Sequence, residues 1–396
     1  MLAYLPFLTI LLVIAAIIQA DAVMTVFYMI IGAFILGIWW TKTGIHHVRV
    51  ARRYDDHAFH SQKIPVELQI TNSSWLPIIW LELHESLPVQ LSSGYKFDHV
   101  ITLKPKERKI FSYQLDAYKR GSYALGPLLL RSGDVLGITK PSEVHAPADN
   151  LIIYPKIYPL QQLGLPSRSP FGTIKHHDPI FEDPSRMRGK RDYQKGDSIR
   201  RIDWKKSAAT GKLLTKQFEA SIDMEVVVVL DLHPDSYAME KRFEATELAI
   251  STAASIAHWS AQQKQAVGLI SNGTGMMSGE SKVISLQPEK GNAYLMSILE
   301  ALASVTFASS VPLADLMYLA QTNLKWGTTL VIISGAYPDH LLDQIIQMLK
   351  KGLNIVLTLV GFVPNHEDAE AQARQFGFKL FYIRHALEIS TMEERA

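Results

Sequence analysis

The sequence predicts a multi-domain chain: an N-terminal transmembrane helical hairpin, an all-β sandwich-like domain and a C-terminal doubly wound α/β domain. Three observations carry that expectation. Residues 1–40 hold a single charge, Asp21, between two apolar stretches. From about residue 45 to 160, apolar and polar residues alternate in short runs, the period of half-buried strands. From residue 225 onward, continuous apolar runs alternate with helical stretches, the pattern of a mostly parallel sheet covered on both faces. At 396 residues the chain has room for two or three domains.

Composition narrows the function. The 40 Lys+Arg against 38 Asp+Glu leave a net +2, which argues against a generally basic nucleic-acid protein. With 47% hydrophobic and 20% charged residues, extended disorder is excluded. Cysteine is absent, so there is no disulfide framework, thiolate metal site or cysteine nucleophile.

The expected hairpin occupies 1–41. Its apolar stretches, 2–18 and 23–40, are 17 and 18 residues long, about 25–27 Å as helix and near the lower limit for crossing a bilayer core. Residues 19–22 would form the turn. A signal peptide fits less well, because no positive region precedes the first stretch and a second apolar stretch follows at once; a buried soluble hairpin is the other alternative. Trp39 and Trp40 suit an interfacial anchor, and Lys42, Arg49, Arg52 and Arg53 follow. Cations gather on the cytoplasmic side, so both ends of the hairpin, and the body after it, are expected there.

In 45–160, residues 64–70, 80–85 and 109–115 alternate apolar with polar, and turn residues such as Asn72-Ser73-Ser74 and Gly126-Pro127 separate the runs. Six to eight strands of a sandwich follow from this spacing. Asn72-Ser73-Ser74 fits a glycosylation pattern that has no meaning on a cytoplasmic domain. In 221–396, strands are expected at 225–231, 266–270, 282–286, 328–333, 354–360 and 379–383. Helices are expected at 239–263, 291–304, 311–322, 338–350 and 366–376. Sheets of this type bind ligands at the carboxyl ends of their strands, where the strand order switches. No Gly-x-Gly-x-x-Gly or Walker-type loop, nucleophile elbow or His-Glu-x-x-His run occurs. His46-His47 and His176-His177-Asp178 read as solvated turns rather than metal sites.

The most distinctive stretch lies in the connecting segment, 161–220. Residues 186–216 hold 11 Lys+Arg against three Asp, a local +8 in a nearly neutral protein. Within residues 186–219 stand Arg191, Tyr193, Gly196, Asp197, Arg200, Arg201, Ile202, Asp203, Trp204, Ala208, Gly211, Lys216 and Glu219. At this spacing the chain resembles the bacterial domain-of-unknown-function family fifty-eight, from which Ala209 departs where many relatives carry Arg. The resemblance implies a membrane hairpin, a β-rich region and a C-terminal domain similar to von Willebrand factor A domains. It also implies a non-enzymatic, membrane-anchored adaptor or co-chaperone-like role beside a MoxR-type AAA+ ATPase, in protein remodelling or maturation. The expected partners are that ATPase and membrane lipids, without nucleic acid; no cofactor is implied.

Read physically, Arg191, Asp197, Arg201 and Asp203 suit an ion-pair network anchored by Tyr193 and Trp204, or a docking surface overlapping it. The competing reading is a membrane-bound metal-dependent hydrolase or nuclease using Asp197, Asp203 and Lys205; the local charge would also suit phosphate backbones or an anionic leaflet. Von Willebrand factor A domains often hold magnesium through Asp-x-Ser-x-Ser after the first strand. The matching run is Asp231-Leu232-His233-Pro234-Asp235, and the later Thr-Asp-Gly reads Ile333-Ser334-Gly335. Thr306 is a loose match for the distant hydroxyl. A repurposed manganese or zinc site at Asp231, His233 and Asp235 is one reading; a metal-free Asp231 that caps its own loop is the other, and weak or no magnesium binding is expected.

Overall fold

A computed structural model describes residues 9, 10, 12, 13, 17, 21–134, 141–160, 187–194, 197–218, 225–275, 283–307, 311–322, 324–390 and 392. The chain divides into two compact units, Met1–Lys156 with Leu299–Val305, and Ile157–Ile298 with Thr306–Ala396.

The first unit opens with α1 (Asp21–His46). Asp21 sits in its first turn, where a carboxylate favours the positive end of the helix dipole, so the residue expected in a hairpin turn instead starts the helix. Residues Met24–His46 are long and apolar enough to cross a membrane, at about 35 Å of helix. The first expected span, 2–18, lies mostly outside the described residues; of its positions 9, 10, 12, 13 and 17 are described, as helix. The helix continues past the expected end at residue 41, and Ile45 is 1% exposed in the β core.

Among the described residues ten strands follow: β1 (Val48–Arg53), β2 (His57–Ala58), β3 (Lys63–Asn72), β4 (Ile78–Glu85), β5 (Phe97–Leu103), β6 (Arg108–Asp116), β7 (Gly121–Leu125), β8 (Leu128–Ser132), β9 (Ser142–Ala146) and β10 (Asp149–Ile153). They form three sheets, ordered β1-β3-β6, β2-β10-β7 and β5-β4-β8-β9. The sequence spacing predicts six to eight strands. The excess comes from short or weakly alternating strands such as β2, with two residues, and β9, with no fully buried position. The long strands behave as their period requires: Ile64, Val66, Leu68 and Ile70 of β3 point into one core with Leu81, Leu83, Leu115 and Leu130. Asn72 is fully buried, and its amide nitrogen donates to the carbonyls of Leu76 and Lys104 at 2.8 and 3.1 Å. It is a turn-builder.

Arg52 departs from its expected place in the cationic flank. Its side chain is 3% exposed and its Nε donates to Glu85 Oε1 at 2.6 Å, while Nη1 donates to Asp149 Oδ2 at 2.9 Å. The Tyr113 hydroxyl donates to the other Glu85 oxygen at 2.9 Å. Burial beside Glu85 pushes that hydroxyl's pKa well up.

The second unit holds a two-stranded antiparallel pair, β11 (Met187–Asp192) with β12 (Leu214–Phe218), joined through a 3₁₀ turn Ile199–Arg201 and α2 (Trp204–Thr210). The helices and strands along the rest of the chain are β13 (Glu225–Leu230), α3 (Arg242–Gln262), β14 (Ala266–Ser271), β15 (Thr274–Gly275), β16 (Ile284–Glu289), α4 (Asn292–Ser304), β17 (Val305–Thr306), α5 (Leu313–Thr322), β18 (Thr329–Ser334), α6 (Asp339–Lys350), β19 (Asn354–Val360), α7 (His366–Phe376), β20 (Lys379–Ile383) and α8 (Ala386–Ser390), with Leu299–Val305 of α4 and β17 belonging to the first unit. The main sheet runs β16-β14-β13-β18-β19-β20, parallel except for the antiparallel edge β16. Its central strands are buried at nearly every residue, as a sheet covered on both faces requires. Val227, Val229, Leu330 and Ile332 share one core with Leu341, Ile345 and Met348 of α6.

Candidate functional site

The signature residues fold into the β11–β12 hairpin and its crossover. Asp203 caps α2, its Oδ1 accepting from the Lys206 amide at 3.1 Å. Its other oxygen pairs with Lys190 Nζ. Lys190 and Lys216 stand directly opposite each other across the pair, an arrangement that repels unless an anion intervenes. Asp203 supplies it, and Lys190, the Lys206 amide and Lys216 hold its carboxyl below the usual carboxylate range. Asp197 does similar work earlier in the crossover. It accepts from the Gln194 amide at 3.0 Å, from Arg191 Nη2 at 2.6 Å and from the Thr215 hydroxyl at 3.4 Å. Those donors, the backbone amide first, depress its pKa too. Ser207 Oγ accepts from the Leu214 amide at 2.9 Å, and Gly211 ends α2 at φ +69°, which favours glycine.

The expected network is therefore brought together in part. Arg191 pairs with Asp197, and Lys190, outside the expected set, pairs with Asp203, while Arg201 lies exposed at the end of the 3₁₀ turn. Tyr193 contributes its amide to the Leu213 carbonyl at 2.8 Å. Gly196 lies outside the described residues, as do Glu219 and the His176-His177-Asp178 run. Trp204, expected as a packing anchor, is 61% exposed, and Ile199 and Leu213 are 66% and 47% exposed. Lys205 is exposed as well. The crossover buries Ile202 and Ser207 and turns larger apolar side chains outward beside cations.

The second candidate lies at the carboxyl edge of the main sheet. The strand order switches between β13 and β18, where such sheets take ligands, and Asp231 immediately follows β13. Asp231 is fully buried. Its Oδ1 accepts from the His233 amide at 3.0 Å and from Asn272 Nδ2 at 2.9 Å; its Oδ2 accepts from the Ser334 hydroxyl at 2.8 Å. Asn272 also accepts from the Leu232 amide at 2.6 Å and donates to the Val311 carbonyl at 2.8 Å. The Tyr237 hydroxyl donates to the Asp231 carbonyl at 2.6 Å, and burial pushes its pKa well up. Gly335 makes this crossing possible, because a Cβ there would lie 2.3 Å from the Tyr237 ring.

His233 and Asp235 do not join Asp231. Asp235 is 86% exposed, and its carboxylate stands 3.9 Å from His233 Nδ1. Thr306 bonds the Thr274 carbonyl at 3.2 Å. Among the described residues no group of three metal-ligating side chains forms. The chemistry at Asp231 is that of donors converging on one carboxylate, with an amide nitrogen where a cation would need a lone pair. Sequence inspection missed Asn272, Tyr237 and the use of Ser334; only Ser334-Gly335 sat in a recognisable position.

Residues 189–360 match the model of the family described as Protein of unknown function DUF58. The chain is similar to the uncharacterised protein YeaD of Bacillus subtilis, 24% identical over 261 residues, or 64% of this chain and 62% of that one. Among solved structures it is similar to a von Willebrand factor type A protein from Catenulispora acidiphila, at 11% identity and TM-score 0.31, covering 46% of this chain and 43% of that one. It is also similar to an aerotolerance-related membrane protein from Bacteroides fragilis, at 14% identity and TM-score 0.31, covering 43% and 94%. The family match thus spans the β11–β12 hairpin and most of the main sheet, residues 189–360.

Proposed function

We propose that the protein is a non-enzymatic, membrane-anchored adaptor that docks a MoxR-type AAA+ ATPase through the crossover of the β11–β12 hairpin, in protein remodelling or maturation. In this reading the N-terminal region crosses the membrane twice and the body is cytoplasmic.

One observation carries the proposal. Both signature carboxylates are engaged by hairpin donors, Asp197 by Gln194 and Arg191, Asp203 by Lys190 and Lys206. Exposed Trp204, Ile199 and Leu213 share the crossover with exposed Arg200, Arg201 and Lys205. A hydrolase needs its acids directed at substrate or metal. A docking surface needs a solvent-exposed aromatic anchor and accessible arginines, residue types enriched at binding hot spots. The hydrogen bonds that close around Asp231 favour docking without a bridging metal. The test is co-purification of the full chain from native membranes after cross-linking with nucleotide present. A AAA+ ATPase in the wild-type eluate supports the reading. Its absence, or magnesium-dependent turnover lost in Asp203→Asn, would overturn it.

A further inference from the structure

The first unit carries an exposed tryptophan for which the adaptor reading has no use. Trp75 is 69% exposed at the tip of the turn between β3 and β4. The turn is built to hold it there. Asn72 Oδ1 accepts from the Ser74 amide at 3.0 Å and its hydroxyl at 2.7 Å, Asn72 Nδ2 reaches the Leu76 carbonyl, and Leu76 is buried. Five residues are fixed so that the largest apolar side chain among them faces outward.

The same turn is fastened to the end of α1. The Ser73 amide and hydroxyl both donate to the His47 carbonyl, and Trp40 Nε1 donates to the Pro77 carbonyl at 3.0 Å. The rings of Trp39 and Trp75 lie 6.4 Å apart between centroids, and Trp39 is itself 49% exposed. Ile45, six residues beyond Trp39, is locked into the β core. No flexible linker separates the apolar helix from the strands, so whatever depth Trp39 takes, Trp75 shares. Lys42 follows Trp39 by one helical turn. Lys104 and Lys106 are exposed in the neighbouring turn, Lys106 Nζ donating to the Ser73 carbonyl. A pair of tryptophans ringed by lysines is the chemistry of a bilayer's headgroup level, where an indole's apolar body and polar N–H are both satisfied and lysines meet lipid phosphate.

We infer that the Ser73–Pro77 turn is a second, interfacial contact with the membrane that α1 crosses, with Trp75 seated at the headgroup–acyl boundary beside Trp39. The occupant is the lipid itself. The contact fixes the tilt of the β-rich unit on the bilayer. The inference rests on α1 being a spanning helix, and the test separates the two.

The chain lacks cysteine, so single nitroxide labels go in cleanly. Trp75→Cys, Trp39→Cys and Tyr118→Cys full-length proteins are labelled, reconstituted into vesicles of zwitterionic lipid with a minority of phosphatidylglycerol, and read by oxygen and nickel-chelate collision rates. Tyr118 is 60% exposed beyond β6, at the far end of the strand pair that leads to Trp75, roughly 30 Å away. The expected result is a shallow, oxygen-accessible depth at 39 and 75 and a wholly aqueous label at 118. An aqueous label at 75 with a buried one at 39 overturns the inference and leaves the spanning helix standing. Aqueous labels at both positions overturn the helix reading, and the inference with it.

Discussion

Asp231 and Arg52 show how a buried charge is held in each unit, and each gives a measurable cost. Removing Asp231 leaves Asn272 Nδ2 and Ser334 Oγ without their acceptor in a fully buried site. At about 1–3 kcal/mol for each buried donor left unsatisfied, Asp231→Ala should destabilise the main sheet by about 3 kcal/mol. Magnesium should not change the unfolding midpoint of the wild type, as read by denaturant titration with and without the ion. A midpoint raised by micromolar magnesium and insensitive in Asp231→Ala would restore the adhesion-type reading. Arg52→Ala strands Glu85, fully buried, with its closest cation gone; about 3–5 kcal/mol is expected, as loss of the β-rich unit's transition in the same titration. The sequence offered Asp231 as a cap on its own loop, which the His233 amide bond matches, but not the internal pairing of Arg52. Arg52 sits in a cationic run after an apolar stretch, which reads as membrane flank, and only the β1–β4 proximity reveals that it is spent internally. Asp231 was legible as a strand-end acid, while Asn272 comes from a different strand end that no local pattern links to it.

At the scale of elements, periodicity told most where it was long. The strand 354–360, the helix 366–376 and the strand 379–383 fall where the spacing puts them, because buried strands and amphipathic helices must repeat their own geometry. The expected helix 239–263 starts instead at Arg242, after a 3₁₀ turn Met239–Lys241, and the edge strand shifts from 282–286 to Ile284–Glu289, where one partner strand imposes little pattern. The β11–β12 hairpin carries no period at all, and its form rests on Asp197 and Asp203. Their carboxyl pKa values are lowered in the folded hairpin. Groups of that sign contribute stability that is fully present above the unfolded carboxylate value of about 3.9 and lost as pH falls through the lower folded value. Hydrogen-exchange protection of the β11 and β12 amides, corrected for intrinsic rates, should hold from pH 5 to 8 and fall below about pH 4. Loss centred between pH 6 and 7 would point to another group as the hairpin's support.

For the whole molecule, the sequence made an apolar N-terminal helix, a β-rich unit and an α/β unit legible through two contrasts, apolar against charged and alternating against continuous. It did not reveal which faces remain free, because exposure is settled by packing between distant segments. Trp204 reads as an anchor in sequence and stands 61% exposed in the fold. The central claim is that this surface binds an ATPase and performs no chemistry. It is tested most directly by quantitative cross-linked co-purification from membranes, comparing wild type with the Trp204→Ala, Arg200→Glu double variant. Hot-spot losses of about 2 kcal/mol or more weaken affinity by about thirtyfold or more and predict a matching fall in recovered AAA+ ATPase, with the double variant's unfolding midpoint and membrane yield unchanged. Equal recovery from a stably folded variant would contradict the account.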